Sequence, residues 1–253
     1  MTTNQNSLEE KPMTFIDHLR DLRDCLVRAG ISIVIGMCLA FGFSEHIFDI
    51  IRKPIVPYLQ GGGLVFTSPI DKFMAHLQIS LVVGVILSAP FWLYQVWKFI
   101  SPALYKNEKK IAASFVIAGT IQFLLGAAFC YYIVFPGAFE FLMKFGGTTD
   151  KPMITIGHYL DFFTHTILIF GLTFEVPVVI VFLGMIGLIS QRFLKEKRRY
   201  SILVNAIIAG LVTPPDLLSM LFLLVPLMVM YEISIILVGA FERRKAAQAN
   251  NFG

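Results

Sequence analysis

Long apolar runs constrain this chain more than any other feature of its sequence. Four of them approach or exceed the roughly 20 residues that an α-helix needs to cross a bilayer. They lie at about Leu26 to Phe43, Phe73 to Trp97, Ile111 to Val134 and Leu160 to Leu188. Of the 253 residues 56% are hydrophobic and only 15% are charged, whereas about 25% of a typical globular chain is charged. The sequence therefore predicts a multi-spanning membrane protein.

Two further apolar runs follow near the C-terminal end. Ser201 to Val212 corresponds to about 18 Å of helix, which is too short to cross roughly 30 Å of hydrocarbon unaided. Leu217 to Phe241 is longer, but Pro226 and Glu232 interrupt it. The prolines of Thr213-Pro-Pro-Asp216 predict a tight turn between the two runs. We therefore expect an all-α integral membrane protein of six transmembrane helices, in which helices five and six are short and form a hairpin.

The distribution of Lys and Arg predicts how the chain is oriented. Sixteen of the 21 basic residues fall on one side of the predicted spans. The other side has Arg52, Lys53, Lys72, Lys144 and Lys151. By the positive-inside rule both termini are cytoplasmic. We expect one domain over 1–253, with an amphipathic cytoplasmic segment at 1–25, a cytoplasmic tail at 242–253, and Pro- and Gly-rich external loops that form structured caps.

Glu175 is the residue whose insertion into the membrane costs the most free energy, because it falls near the predicted bilayer midplane. A charged carboxylate there costs about 2.5 to 3.5 kcal/mol on insertion scales. It must therefore be protonated or face protein, water or a partner. Two interpretations stay open: a neutral Glu hydrogen-bonded across helices or to carbonyls freed by Pro177, and a polar docking point for another helix or a transient cargo.

Two carboxylates on the predicted cytoplasmic side are candidates for binding a cation. Asp21 lies with Arg23 just before the first apolar run, and Glu108 lies among lysines after the second. A solvated interfacial face or an ion pair with a neighbouring lysine is the alternative for each. Since an Arg guanidinium pairs bidentately with a carboxylate, two carboxylates on one surface favour a partner that carries arginine.

Motif searches give no sign of catalysis. The sequence contains no GK dipeptide of a P-loop, no HExxH and no GxSxG, and its three cysteines have no metal-binding spacing. We expect no enzyme activity, metal, cofactor or nucleic-acid partner. A secondary transporter that uses Glu175 as a carrier carboxylate is a rival hypothesis, although the chain lacks the internal repeat typical of that class. An intramembrane hydrolase is a weaker one, because no nucleophile and base pair is recognisable.

Seven ordered motifs resemble TatC, the multi-spanning subunit of the twin-arginine protein translocase. They are His18-Leu-Arg-Asp-Leu-Arg23, Pro54, Ser88-Ala-Pro-Phe-Trp-Leu-Tyr-Gln-Val-Trp97, Ser101-Pro-Ala-Leu-Tyr-Lys-Asn-Glu108, Val134-Phe-Pro136, Phe174-Glu-Val-Pro177 and Thr213-Pro-Pro-Asp216. The resemblance covers nearly the whole chain. It implies six helices in a cupped, glove-like arrangement in a cell (inner) membrane.

The resemblance also implies a function and the residues that perform it. TatC-like proteins bind the twin-arginine signal peptides of folded proteins at the cytoplasmic face, and their transport is driven by the proton-motive force. The implied signal-peptide site comprises Asp21 and Glu108, with Phe99 and Gln95 nearby and Arg23 orienting the N-terminal segment. Glu175 would be the intramembrane polar site for a partner.

Further residues are implied to be structural or to dock partners. Pro54 would shape the first external loop. The last two helices, with Thr213, Pro214, Asp216 and Met220, would form the edge that recruits single-span TatA-type and TatB-type subunits, and the translocase would self-associate. Two positions depart from the family pattern. Asp21 is one methylene shorter than the Glu common there, and Met220 replaces a frequent Gln.

Overall fold

The computed structural model describes residues 15–59, 63–100, 109–144, 153–212 and 217–251. Within these ranges the chain is helical, and the only β-type pairing is an isolated bridge between Val65 and Thr155. The helices are α1 (Phe15–Phe41), α2 (Ser44–Arg52), α3 (Pro69–Leu87), α4 (Ala89–Ile100), α5 (Lys109–Phe129), α6 (Phe135–Lys144), α7 (Ile156–Thr173), α8 (Val176–Met185), α9 (Gln191–Glu196), α10 (Arg198–Val212) and α11 (Leu217–Asn251). A 3₁₀ turn at Val56–Tyr58 follows α2, and a π-helical turn at Cys130–Val134 joins α5 to α6.

Five helical segments in the described part of the chain are long and apolar enough to cross a membrane. They are Ile16–Phe41, Pro69–Leu87, Ala113–Lys144, Ile156–Met185 and Met220–Arg244. The remaining predicted segment, the fifth in chain order, corresponds to α10, which has only 15 residues. The prediction that this helix is short is confirmed, and the protein is an all-helical, multi-span membrane protein.

The first helix begins well before the first apolar run. α1 starts at Phe15, has Asp17 in its first turn and continues without a break to Phe41. Residues 15–25 of the predicted N-terminal segment and the first predicted span are therefore one helix. The charged face of residues 17–28 is rigidly connected to the apolar part that follows.

The second apolar run is two helices rather than one. The break at Ser88 arises because Pro90 lacks the N–H that a continuous helix needs. Other donors bond to the carbonyls of the preceding turn: the Ser88 hydroxyl donates to the Gly84 carbonyl at 2.7 Å, and the Trp92 indole N–H donates to the Val85 carbonyl at 3.1 Å. The chain thus changes direction without leaving these polar groups unpaired in an apolar environment.

The prediction of a short sixth helix is wrong. α11 has 35 residues and runs through both Pro226 and Glu232. Leu223 and Leu227, on either side of the proline, are both buried, so packing holds the helix together across the missing hydrogen bond. Glu232 does not interrupt the helix because its carboxylate pairs with Arg198 on α10 at 2.7 Å.

Within the described residues, the two predicted external loops are joined to each other and to the bundle. The main chain of Val65 bonds to Ile154 (3.0 Å) and Ile156 (2.8 Å), which joins the two loops. The hydroxyl of Tyr131 donates to the Ile50 carbonyl at 2.7 Å, and that of Tyr159 donates to the Ile51 carbonyl. These two hydrogen bonds therefore hold the C-terminal end of α2 against the π-helical turn and α7.

Glycines permit a close crossing of α1 and α3. A Cβ at Gly84 of α3 would lie 2.5 Å from the backbone nitrogen of Met37, and a Cβ at Gly36 of α1 would lie 2.6 Å from the Gly84 carbonyl oxygen. No flexible side chain separates the two backbones at this point. Close backbone approach through small residues is the usual way in which membrane helices associate.

We predict that Gly36→Ala weakens the α1–α3 crossing, because its methyl group would have to displace backbone atoms. The free energy of unfolding in detergent micelles should fall by about 1 to 3 kcal/mol. Gly30→Ala is the matched control on the same helix, since a Cβ there meets nothing within 4 Å. The control should be neutral or slightly stabilising. Equal denaturation midpoints for the two variants would contradict the crossing.

Candidate functional site

A polar cleft lies between α1 and α4, near the N-terminal end of α1. Its volume is about 260 Å³. It is lined by Asp21, Asp24, Cys25, Arg28, Gln95, Lys98 and Phe99. Three of the site residues predicted from sequence, Asp21, Gln95 and Phe99, therefore meet in one cleft, although α1 and α4 are far apart in the chain.

Aromatic stacking positions the rim of the cleft. The rings of His18 and Phe99 lie 4.6 Å apart between centroids, with an angle of 26° between their planes. At the other side of α4, Trp97 stacks on Phe115 at 4.9 Å and meets Phe182 edge-on at 5.2 Å. Because α4 is held on both sides, Gln95 and Phe99 face α1 in a defined position.

Arg23 lies beside the cleft and pairs with its neighbour. Its guanidinium donates to the Asp24 carboxylate at 2.7 and 2.9 Å. Both side chains are largely exposed, so the pair contributes little to stability. The Arg23 guanidinium does, however, engage Asp24, one of the two carboxylates of the cleft. Asp21 has no such ion pair with any residue that the structure describes.

Sequence reasoning missed four residues that line the cleft: Asp24, Cys25, Arg28 and Lys98. Asp21, Asp24, Cys25 and Arg28 follow the i, i+3, i+4, i+7 spacing of one helical face. The spacing is visible in the sequence, but it becomes informative only because residues 15–25 belong to the first helix.

Several predicted site residues lie outside the described residues. Glu108 directly precedes α5 in sequence, in the segment 101–108. Thr213, Pro214 and Asp216 belong to the segment 213–216, between α10 and α11. Their positions in space stay predictions.

Two other predicted positions are described. Pro54 is half-buried in the turn that follows α2, where the Ile55 N–H donates to the Arg52 carbonyl at 3.1 Å. Met220 lies in the first turns of α11, and a Cβ at Gly210 of α10 would be 3.8 Å from its sulfur. Met220 therefore packs inside the hairpin of α10 and α11.

Glu175 lies at a break in the membrane-spanning segment Ile156–Met185. α7 ends at Thr173 and α8 begins at Val176, because Pro177 has no N–H to continue the helix. The residue is only 9% exposed. Its Oε1 atom is buried without a hydrogen-bond partner among the described residues. A buried polar atom without a hydrogen-bond partner is energetically costly. Oε1 of Glu175 can therefore accept a hydrogen bond from a further donor.

Because Gly119 of α5 has no side chain, it leaves space for the Glu175 carboxylate. A Cβ at this position would lie 3.0 Å from Oε2 and 3.4 Å from Oε1 of Glu175. Nearby, an apolar pocket of about 370 Å³ opens between α5, α8 and α11 and includes Gln122 and Pro177 in its lining. The Gln122 amide contacts the Met230 sulfur at 3.2 Å. The carboxylate is thus close to an apolar concavity with few polar groups.

The described residues contain no group of three or more His, Cys, Asp or Glu side chains that could hold a metal ion. The cleft and the Glu175 region therefore offer carboxylates, an amide and aromatic rings. Such groups bind cations and peptides.

Comparison with known proteins assigns this membrane protein to a class. A family model described as Sec-independent protein translocase protein (TatC) matches residues 17–226. The chain is 40% identical over 240 residues to the TatC protein of Desulforapulum autotrophicum, covering 94% of this chain and 89% of that one. It is 38% identical over 229 residues to that of Carboxydothermus hydrogenoformans, covering 90% and 93%.

Solved structures agree with these sequence matches. A crystal structure of the twin-arginine translocase receptor TatC in DDM superposes with a TM-score of 0.77 at 36% identity, over 87% of this chain and 98% of the other. The protein is therefore a multi-span component of a protein translocase. It belongs to the TatC family, and the resemblance seen in the sequence is confirmed.

We predict that Gly119 and Glu175 are energetically coupled. Gly119→Ala should lower the free energy of unfolding by about 1 kcal/mol, because its methyl group displaces the carboxylate. In a Glu175→Ala background this cost should disappear, which a double-mutant cycle measured by denaturation would show. Gly157→Ala, where a Cβ meets nothing within 4 Å, is the control and should show no coupling. The same cost of Gly119→Ala in both backgrounds would contradict the contact.

Proposed function

We propose that this chain binds the twin-arginine signal peptides of folded proteins in the cleft between α1 and α4. The observation that supports this most is the meeting of Asp21, Gln95 and Phe99 in one cleft. A carboxylate pairs bidentately with a guanidinium, an amide bonds to peptide groups, and an aromatic ring packs on a guanidinium plane. These are the groups that recognition of paired arginines requires.

The charges of the cleft favour a ligand that brings its own arginines. Asp24 is already engaged by Arg23 at 2.7 Å, so Asp21 is the carboxylate open to an incoming guanidinium. Arg28 and Lys98 also line the cleft, and their positive charges repel any guanidinium that is not paired with a carboxylate. Glu108 supplies the second carboxylate from the segment before α5. Asp21 and Glu108 would then offer one carboxylate to each of two adjacent arginines.

We further propose that the chain crosses the cell inner membrane six times, with both termini in the cytoplasm, as one cupped, glove-like domain over 1–253. The five long spans and the short α10 supply the six crossings. The excess of basic residues on one side supports the orientation. In this orientation the cleft faces the cytoplasm, where a signal peptide is found before export.

Glu175 and the nearby apolar pocket form the second part of the proposal. We assign them to recruitment of the single-span TatA-type and TatB-type subunits. Oε1 of Glu175 lacks a partner, and a polar group on a neighbouring membrane helix would supply one. The edge formed by α10 and α11, with Met220 and the turn at Thr213, Pro214 and Asp216, would dock the same partners. Self-association and use of the proton-motive force complete the function as a translocase core subunit.

Signal binding is tested by crosslinking a photoreactive twin-arginine peptide to membranes that contain the protein. We expect Glu108→Gln to reduce the crosslink by about tenfold, and Asp21→Asn less strongly, because each removes a charge-assisted hydrogen bond of about 1.5 kcal/mol or more. A peptide with lysines in place of its two arginines should lose the crosslink to the parent. The peptide should also slow maleimide labelling of Cys25, which lines the cleft.

Asp49→Asn is the matched control, since this exposed aspartate pairs with Arg52 on α2, on the proposed external side. It should leave the crosslink unchanged. Undiminished crosslinking to the double variant of Asp21 and Glu108 would contradict the assignment of the two carboxylates.

Partner recruitment is tested by Glu175→Gln. We expect the crosslink to the signal peptide to be unchanged, because Glu175 lies outside the cleft. Co-purification of TatA-type and TatB-type subunits should fall, because the substitution removes the carboxylate as an acceptor. Glu140→Gln, which breaks the exposed pair with Lys144, is the control for loss of one carboxylate. Normal subunit recovery and normal transport by Glu175→Gln would return Glu175 to a purely structural role.

A further inference from the structure

The two helices that form the cleft run antiparallel to each other. The ring of His18 near the start of α1 stacks on the ring of Phe99 near the end of α4. Further along, Gly36 of α1 meets Gly84 of α3, the helix that precedes α4. Residue numbers that rise along α1 therefore face residue numbers that fall. The end of the cleft at His18 and Phe99 is its shallow end, and the cleft deepens from there toward the middle of α1.

The charged side chains that line the cleft balance each other. They are two carboxylates and two cations: Asp21, Asp24, Arg28 and Lys98. An arginine pair adds two positive charges to this neutral lining, and the proposed second carboxylate, Glu108, offsets only one of them. A peptide that also brings an acceptor for one of the cations is therefore a better electrostatic match than a peptide that brings arginines alone.

The two cations lie at different depths in the cleft. Arg28 comes seven residues after Asp21 on α1, which places it about 10 Å deeper along the helix axis. Lys98 directly precedes Phe99 on α4 and therefore lies at the shallow end. Because Asp24 is engaged by its neighbour and Arg28 repels a guanidinium beyond it, an incoming arginine is held at the level of Asp21. The cation beside that arginine on the cytoplasmic side is then Lys98.

We propose that Lys98 determines specificity among twin-arginine peptides, by selecting those with a carboxylate immediately before the arginine pair. In a signal peptide the charged segment precedes the apolar stretch. When the apolar stretch continues toward the membrane, the residue before the pair is left at the shallow end, within reach of the flexible stem of Lys98. A carboxylate there pairs with the ammonium group, and a lysine there is repelled. The inference rests on the proposed function, because it adds a requirement to the same site.

The selection is tested with three synthetic twin-arginine peptides that differ only in the residue before the pair, which is aspartate, glutamine or lysine. Their affinities for the full chain in nanodiscs are measured by fluorescence anisotropy at low ionic strength, where exposed charges are least screened. Compared with the glutamine peptide, the parent should bind the aspartate peptide about threefold more tightly and the lysine peptide about threefold more weakly, as an exposed ion pair allows. In Lys98→Glu the order of the three affinities should reverse.

Lys195→Glu is the matched control for the change of charge. Lys195 is an exposed lysine of α9, on the same predicted side of the membrane but outside the lining of the cleft. This variant should keep the order of affinities found for the parent. The reversed order in Lys98→Glu also shows that this variant is folded, because loss of the fold cannot create a preference for the lysine peptide.

Three results would overturn the inference while leaving the proposed function intact. An unchanged order of affinities in Lys98→Glu would mean that Lys98 does not meet the residue before the pair. The same reversal in Lys195→Glu would mean that only the overall charge of the chain matters. Equal affinity of the parent for the three peptides would mean that this residue is not recognised. If the parent binds none of the three peptides, the proposed function fails as well, so the two failures give different results.

Discussion

The cleft depends on the helix break between α3 and α4 that Pro90 causes. Without the break at Ser88, the second apolar run would continue along the line of α3 and leave the N-terminal half of α1 without a partner. The Trp92 indole and the Ser88 hydroxyl bond to the carbonyls of the broken turn at 3.1 and 2.7 Å. Because those groups are satisfied, the break is stable in an apolar environment and α4 can pack against α1.

The missing backbone N–H has different consequences at Pro177 and Pro226. At Pro177 the chain breaks and leaves Glu175 buried, with one carboxylate oxygen that lacks a partner among the described residues. At Pro226 the helix continues, because buried Leu223 and Leu227 hold it on both sides. A proline in a membrane helix therefore does not by itself predict a kink. Whether the helix breaks depends on whether neighbouring helices supply packing or replacement hydrogen-bond donors at the proline.

The sequence predicted the features that follow from composition and periodicity. The apolar runs located the membrane segments and the short α10. Family motifs led to Asp21, Gln95 and Phe99, which meet in one cleft. The length of α11 was not predictable from its local pattern, because the partner of Glu232 is Arg198, more than thirty residues away. Asp24, Cys25 and Arg28 were missed because the N-terminal part of α1 packs against α4, which lies far away in the chain.

Three carboxylates along this chain lie in different physical environments. Asp21 is exposed in a polar cleft, where a carboxylate exchanges water for a guanidinium at modest cost. Glu175 is buried, where a carboxylate is favourable only with a hydrogen-bond donor. Glu232 pairs with Arg198, and this pair fixes α10 on α11. The proposed signal recognition and the proposed partner recruitment can therefore be altered one at a time, because each uses a different carboxylate.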